Sequence, residues 1–313
     1  MRHVILDCDP GHDDAIAILM LLADPDLALD GISVVAGNQT LDKTVHNTLR
    51  VLTVAGRTDV PVYAGMARPM ARDLVTAAYV HGESGLDGPD LPEPPVGPAQ
   101  MHAVDWLAQH LEAVEEPIDV VATGPLSNLG MVLRRDSTLA RKVRRLVLMG
   151  GAVAEGNVTP SAEFNIYVDP EAAQTVFEAG IATTMVGLDV THRAMLYRGD
   201  IERLRAIGGP VPTMAADLLA FVSRFHLRRY GVDGTAVHDA CAVAALRQPD
   251  VLTTRHLRVD VETRGSLTDG RTVVDLWGVT GREPNTEVGF DIDRDAFVAL
   301  LEKDLARLAG SSE

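Results

Sequence analysis

Near its start the chain reads Asp7-Cys8-Asp9-Pro10-Gly11-His12-Asp13-Asp14, set between the apolar runs Val4-Ile5-Leu6 and Ala15-Ile16-Ala17-Ile18-Leu19-Met20-Leu21-Leu22. Locally this is a buried strand, a tight Pro-Gly turn and a helix with two carboxylates in its first turn. Acidic residues suit a helix N-terminus, where the macrodipole and unpaired N–H groups favour negative charge. Four carboxylates within eight residues exceed what capping requires. Packed at the carboxyl end of a strand, they repel one another and raise their own pKa values unless a cation sits among them. A hard divalent ion with oxygen ligands, Ca²⁺ or Mg²⁺, is the matching partner.

The chain repeats the strand–helix theme. Gly31-Ile32-Ser33-Val34-Val35-Ala36 reads as a second buried strand that runs out at Gly37-Asn38, and Thr40 is placed to cap the next helix. Val60 to Ala64 is a third strand, Ile118 to Thr123 a fourth and Leu146 to Met149 a fifth, with Thr183 to Leu188 expected as the last parallel one. Strands alternating with helices predict an α/β protein with an open, mostly parallel, doubly wound sheet and helices on both faces. Ligands bind outside the carboxyl ends of such strands. Asp9, Asn38 and Thr123 each stand at such an end. Residues 1–313 are expected to form a single domain, since neither a linker nor an internal repeat interrupts them.

Three later stretches add polar groups to this frame. Residues 65–98 are dense in Pro and Gly and break the rhythm, so they read as either a lid or a passive insertion. His81, on that loop, is a candidate substrate contact. In Gly156-Asn157 to Asn165, Glu163 and Asn165 flank Phe164, so an extended backbone would point both the same way. With Asn157 they suit recognition of sugar hydroxyls, or else form a surface loop. Asp189 and Thr191 follow a strand end and read either as neighbours of the site or as caps. Residues 200–231 are expected to be mostly helical, and 200–235, like 65–98, is a candidate mobile segment around the site. Phe221 and Phe225 share a helix face and read as core, whereas His226 and Tyr230 do not obviously share it. Finally, Thr235-Ala236-Val237-His238-Asp239 opens an apolar helix. A buried Asp there calls for a partner or a metal.

Composition excludes several functions. Lys plus Arg number 28 against 44 Asp plus Glu, a formal net charge of −16, which argues against nucleic acid or an anionic membrane as partner. Cys8 and Cys241 lie in apolar contexts and read as core residues, not as a disulfide or zinc site. No uncharged apolar run approaches the ~18–20 residues of a membrane span. The chain enters a strand directly after Met1-Arg2-His3, so a signal peptide is not expected and a cytoplasmic location is.

Together Asp7-x-Asp9-Pro10-Gly11-x-Asp13-Asp14, Asn38, Ala122-Thr123-Gly124-Pro125-Leu126, the Gly156-Asn157 to Asn165 segment and His238-Asp239 resemble the nucleoside hydrolases, the inosine–uridine preferring N-ribohydrolase family. The likeness covers nearly the whole chain. It implies the nucleoside hydrolase fold and one Ca²⁺ per subunit, held by Asp9, Asp14, Asp239 and the backbone carbonyl of Thr123. It also implies a ribose held by Asp13, Asn157, Glu163 and Asn165 with Asn38 close by, and a homodimer or homotetramer. His238 is then placed to protonate or contact the nucleobase. Tyr230 and His226 fall where base contacts are expected. Tyr230 resembles the pyrimidine-preferring members, while His226 departs from the glutamine of those members, so the expectation leans to uridine and cytidine with inosine open.

The implied reaction is hydrolysis of the N-glycosidic bond of a ribonucleoside. It passes through an oxocarbenium-like sugar and needs an activated water, a held ribose and an assisted leaving base. Calcium acidifies water less than zinc does, so a carboxylate base is required, and Asp9 is the candidate. Two other readings compete, the first opposed by the Pro10-Gly11-x-Asp13-Asp14 continuation and the second by the full set of candidate catalytic residues. An aspartate-based phosphotransferase shares Asp-x-Asp after the first strand, and a Ca²⁺-dependent ribonucleoside-binding protein would not turn over.

Overall fold

A computed structural model describes residues 1–310; the side chain of Tyr230 also lies outside the described residues. In chain order, the first half comprises β1 Arg2–Cys8, α1 His12–Ala23, β2 Leu27–Val34, α2 Leu41–Val54, β3 Val62–Ala64, α3 Ala78–His81, α4 Ala103–Ala113, β4 Ile118–Ala122, α5 Ser127–Arg135 and β5 Val143–Met149. Then come α6 Phe164–Val168, α7 Pro170–Phe177, β6 Thr183–Val186, α8 Leu188–Thr191, β7 Met195–Tyr197, α9 Arg198–Ile207, α10 Pro210–Tyr230, β8 Gly234–Ala236 and α11 His238–Arg247. The chain closes with β9 Leu252–Val261, β10 Thr272–Asp275, β11 Thr286–Ile292 and α12 Arg294–Gly310.

The main sheet runs β10-β9-β11-β6-β5-β4-β1-β2-β3. From β11 to β3 every neighbouring pair is parallel, while β9 pairs antiparallel with both β11 and β10. This is the mostly parallel doubly wound sheet that the sequence pattern predicts, with one correction. Thr183 to Leu188 does not supply the last parallel strand: β6 ends at Val186, and β11 lies parallel beyond it, in register from Thr286 opposite Thr183. The sequence Thr286-Glu287-Val288-Gly289-Phe290-Asp291-Ile292 hides that strand because two acidic residues and a glycine interrupt its apolar alternation.

Burial on both sheet faces follows from strand alternation. Val4, Leu6 and Cys8 of β1 enter one core with α1, α10, α11 and α12, while Ile5 enters the other with α4, α5 and α7. Both cysteines are buried and free, as their apolar contexts predict. Helix α1 is buried almost all round, because it packs against α2, α10, α11 and α12 as well as covering the sheet. No helix among the described residues is long and apolar enough to cross a membrane.

The strand order also fixes where a site forms. From β1 the chain winds outward through β2 and β3, and from β4 it winds the other way through β5 and β6. The crevice between β1 and β4 is therefore the topological switch point. Asp9 leaves β1 and Thr123 leaves β4 at its two sides.

Candidate active site

Two helix N-termini converge on this crevice. Helices α1 and α11 pack against each other and begin at His12 and His238, so Asp13, Asp14 and Asp239 occupy adjoining first turns. One carboxylate oxygen from each lies within 4.8 Å of the others. Both helix dipoles favour this negative charge, but three buried carboxylates still repel strongly.

The cost shows in their protonation. Burial pushes the Asp13 carboxyl up to about 7, with the charge of Asp14 adding to it. Asp239 and Asp9 are raised well above the usual carboxylate range, mainly by burial and then by their acidic neighbours. Asp14 is raised too, although it accepts from Gly11 N–H at 3.0 Å and from the Thr123 hydroxyl at 2.8 Å.

Asp9 sits under the cluster with no exposed surface. Its Oδ2 accepts from the Asn38 N–H at 2.6 Å, while Oδ1 is buried without a hydrogen-bond partner among the described residues. A Cβ at Gly37 would collide with Oδ2, and one at Gly124 would lie 2.7 Å from Oδ1, so only glycine backbones leave room for this carboxylate. An orphaned oxygen beside three mutually repelling carboxylates is a donor set of hard oxygens that fits a divalent cation. Asp7 does not join it. Its Oδ1 accepts from Ser33 Oγ at 2.6 Å and Asn128 Nδ2 at 2.8 Å, and burial raises the group to about 6.

Above the acids opens a cavity of about 620 Å³. One end is polar, lined by Asp13, Asn38, Thr123, Asn157, Glu163 and Asn165. The other carries His192, His226 and His238 among Leu219, Val222 and Phe225. Of the metal, catalytic and substrate-contact candidates named from the sequence, Asp9 and Asp14 form the floor, Tyr230 lies outside the described side chains, and the rest line the cavity, His81 included, whereas Asp7, Asp189 and Thr191 do not line it.

Several of these groups are held differently from expectation. Glu163 itself is extended, but the backbone turns helical at Phe164 and does not continue as a strand. Glu163 is the N-cap of α6, its carboxylate accepting from the N–H groups of Asn165 at 2.9 Å, Ile166 at 3.2 Å and Gly151 at 2.9 Å. Capping a five-residue helix turns both side chains inward without strand geometry. Burial lifts Glu163 to about 7. Asn165 Nδ2 donates to the carbonyls of Thr123 at 2.7 Å and Met149 at 3.1 Å, tying the ends of β4 and β5 together. Asn38 Nδ2 donates to Asp9 O and Asp14 Oδ2, both at 3.2 Å, so this residue braces the acids as well as lining the cavity. Asn157 Oδ1 accepts from the Phe164 N–H at 3.0 Å.

The aromatic pair of α10 is not plain core. Phe225 lines the cavity, and Phe221 stacks on His12 with centroids 5.0 Å apart. A face shared at i, i+4 reveals common direction but not what that direction meets. His12, His192 and Thr191 are the residues that sequence reasoning missed or left open. Thr191 Oγ1 lies 2.7 Å from His238 Nδ1, and His192 meets the His238 ring edge-on at 5.7 Å. Burial lowers His238 to about 3, and charge on His192 and His226 presses the same way. The doubled acids mark the turn, yet nothing local to His12 tells that it faces the 65–98 loop.

That loop is anchored over the cavity by α2. Gln39 and Lys43 donate to carbonyls at Gly82 and Glu83, Asn47 to Pro10 and Ser84, and Arg50 to Leu91 and Pro92.

Comparison with known proteins agrees with this geometry. The family model described as inosine-uridine preferring nucleoside hydrolase matches residues 4–299. The chain is 52% identical over 304 residues to a pyrimidine-specific ribonucleoside hydrolase RihA of Citrobacter koseri, covering 97% of each chain. It is 50% identical over 307 residues to the RihA of Enterobacter sp. strain 638, covering 98% of each. Among solved structures, the purine-preferring ribonucleoside hydrolase from Gardnerella vaginalis superposes with a TM-score of 0.93 at 29% identity, over 99% of this chain and 100% of that one.

Adding a divalent cation to chelator-stripped protein should raise its melting temperature, by about 2.7 kcal/mol of stability at a hundred times the dissociation constant. The rise should be larger at pH 8 than at pH 5. Burial holds the folded pKa values of Asp9, Asp14 and Asp239 above their unfolded ones, so protonation stabilises the metal-free fold at low pH and that stabilisation is lost as pH rises through the folded values. A cation must displace those protons at pH 5 and not at pH 8. Equal shifts at both values, or none, would show that these acids do not bind the ion.

Proposed function

Because the chain belongs to the inosine–uridine preferring nucleoside hydrolase family and hydrolyses the N-glycosidic bond of ribonucleosides, we propose that it is a Ca²⁺-dependent hydrolase with preference for pyrimidine ribonucleosides. One observation carries the mechanism: buried Asp9 and the Asp13–Asp14–Asp239 cluster lie under the polar end of a cavity wide enough for a nucleoside.

Asp9, Asp14 and Asp239, with the Thr123 carbonyl, are the ligands we assign to the cation. An all-oxygen set of this kind suits Ca²⁺. Bound there, the ion supplies a site that holds and orients water. Asp9 takes the proton from the attacking water, a role for which its Oδ1, bonded to no protein group, is available. Asp13, Asn157, Glu163 and Asn165 hold the ribose hydroxyls with Asn38 beside them, and these contacts strengthen as positive charge develops on the ring. The short hydrogen bonds that fix Glu163 and Asn165 preorganise them for that task.

At the far end His238 meets the leaving base. With Nδ1 engaged by the Thr191 hydroxyl, Nε2 is the polar atom left to the nucleobase. Pyrimidine preference is supported by the two RihA relatives, which are named pyrimidine-specific. Tyr230 and His226 are proposed as further base contacts, His226 from the cavity wall. Movement of 65–98 and 200–235 would admit substrate to one domain spanning residues 1–313. The two free buried cysteines suit a reducing, cytoplasmic setting. A homodimer or homotetramer is the proposed assembly.

Asp9→Asn should retain the fold and lose at least a thousandfold in turnover of uridine; near-normal turnover would remove Asp9 as the base. His238→Ala should slow uridine far more than p-nitrophenyl riboside, whose leaving group needs no proton. Equal losses on the two substrates would mean that His238 does not assist departure of the base.

A further inference from the structure

Two polar side chains on the cavity wall have no part in the reaction scheme. His192 follows α8, its backbone N–H closing that turn on the Leu188 carbonyl at 3.0 Å, and Glu155 stands on the loop after β5. Both line the cavity. His192 Nδ1 lies 3.9 Å from Glu155 Oε1, and the His192 ring meets His238 edge-on at 5.7 Å. Glu155 is thereby placed beside the imidazole end of the cavity. Its side chain is 76% exposed, which puts it at the rim.

The backbone around this pair is fastened. Asp189, in the first turn of α8, accepts from the Val153 N–H at 2.6 Å, and the Leu188 N–H donates to the Gly151 carbonyl at 3.0 Å. Gly187 permits the approach, since a Cβ there would lie 2.7 Å from the Gly151 oxygen. The loop that carries Glu155 and the turn that carries His192 are therefore tied together close to both side chains. The side chains themselves remain uncommitted. At 3.9 Å they attract as charges without forming a hydrogen bond, and neither makes a side-chain hydrogen bond among the described residues. Glu163 and Asn165, at the polar end, spend theirs on backbone.

The chemistry of the pair is specific. A carboxylate only accepts hydrogen bonds, whereas an imidazole carries at least one N–H in either protonation state. Uracil presents N3–H on the edge away from the ribose, and cytosine presents its N4 amino group there. Resting on the reading of the cavity as a ribonucleoside site, we propose that Glu155 is a specificity-determining residue that accepts this N–H from the outer edge of a pyrimidine base, and that His192 is the positioning residue that holds the carboxylate at the rim. A long side chain with no competing hydrogen bond can follow the donor from N3 to N4. The contact lies apart from the one assigned to His238 and needs no proton transfer.

Steady-state hydrolysis of uridine, cytidine and the riboside of pyrimidin-2-one by the Ca²⁺-loaded protein tests this. The last substrate has a bare N3 and no substituent at C4, so its outer edge offers no N–H. Glu155→Ala, a surface substitution that leaves the fold intact, should lower kcat/KM for uridine and cytidine about tenfold more than for the pyrimidin-2-one riboside, the scale of one hydrogen bond. His192→Phe keeps a ring edge against His238 but removes the nitrogens, and should lower the same ratio by about threefold, as expected of an exposed ion pair. Equal losses on all three substrates, or no loss, in Glu155→Ala would overturn the proposal. Equal losses on all three in His192→Phe would reduce His192 to packing against His238. A parent protein that leaves uridine intact would remove the functional reading instead, whereas a parent that cleaves uridine with a ratio unmoved by Glu155→Ala would remove this proposal alone.

Discussion

Mutual repulsion among buried carboxylates is the constraint on which this molecule turns. Asp9, Asp13, Asp14 and Asp239 are brought together by the packing of α1 against α11 at the sheet's switch point, not by any attraction between them. The apolar burial of two nearly all-apolar helices holds them there, and fixed dipoles offset part of the cost: the N-termini of both helices, the Gly11 N–H and the Thr123 hydroxyl. What remains unbalanced is a demand for positive charge. A fold that creates this demand at the floor of a cavity brings a candidate cation site and a candidate reaction site into one place.

The polar end of the cavity shows how preorganisation is built from backbone. Glu163 spends its oxygens on three N–H groups, and Asn165 spends its amide on two strand-end carbonyls. Neither side chain is free to swing, so a ribose bound there as proposed would meet groups whose directions are already set. The other part of the lining, where we propose the base sits, is made differently, from imidazoles and apolar side chains that lower the pKa of His238. That contrast matches a sugar that gains charge during the reaction and a base that departs.

Much of this was legible in the sequence because the signals were local. The Asp9-Pro10-Gly11-x-Asp13-Asp14 turn, the strand ends at Asn38 and Thr123, and a charged pair opening an apolar helix at His238-Asp239 each state their unusual chemistry within a few residues. What escaped was set by distant contacts. Strand β11 is parallel to β6 only through the sheet's long return, and its acidic residues mask the alternation. The Glu163–Asn165 stretch read as a continuing strand because period-two spacing and N-capping both place the two side chains on one side, although the helix begins at Phe164. Phe221 and Phe225 share a helix face that reads as core until a cavity lies beside it, and His12 gains meaning only from Asp87 and His81, some seventy residues on.

The central claim is that the acid cluster and the polar cavity wall together cleave ribonucleosides. The most direct test is release of free base from uridine and from thymidine by the Ca²⁺-loaded protein, followed side by side. The account predicts steady hydrolysis of uridine and little or none of thymidine, because the contacts that hold the ribose include its 2′-hydroxyl. Uridine left intact by the loaded protein, or thymidine cleaved as readily as uridine, would contradict it.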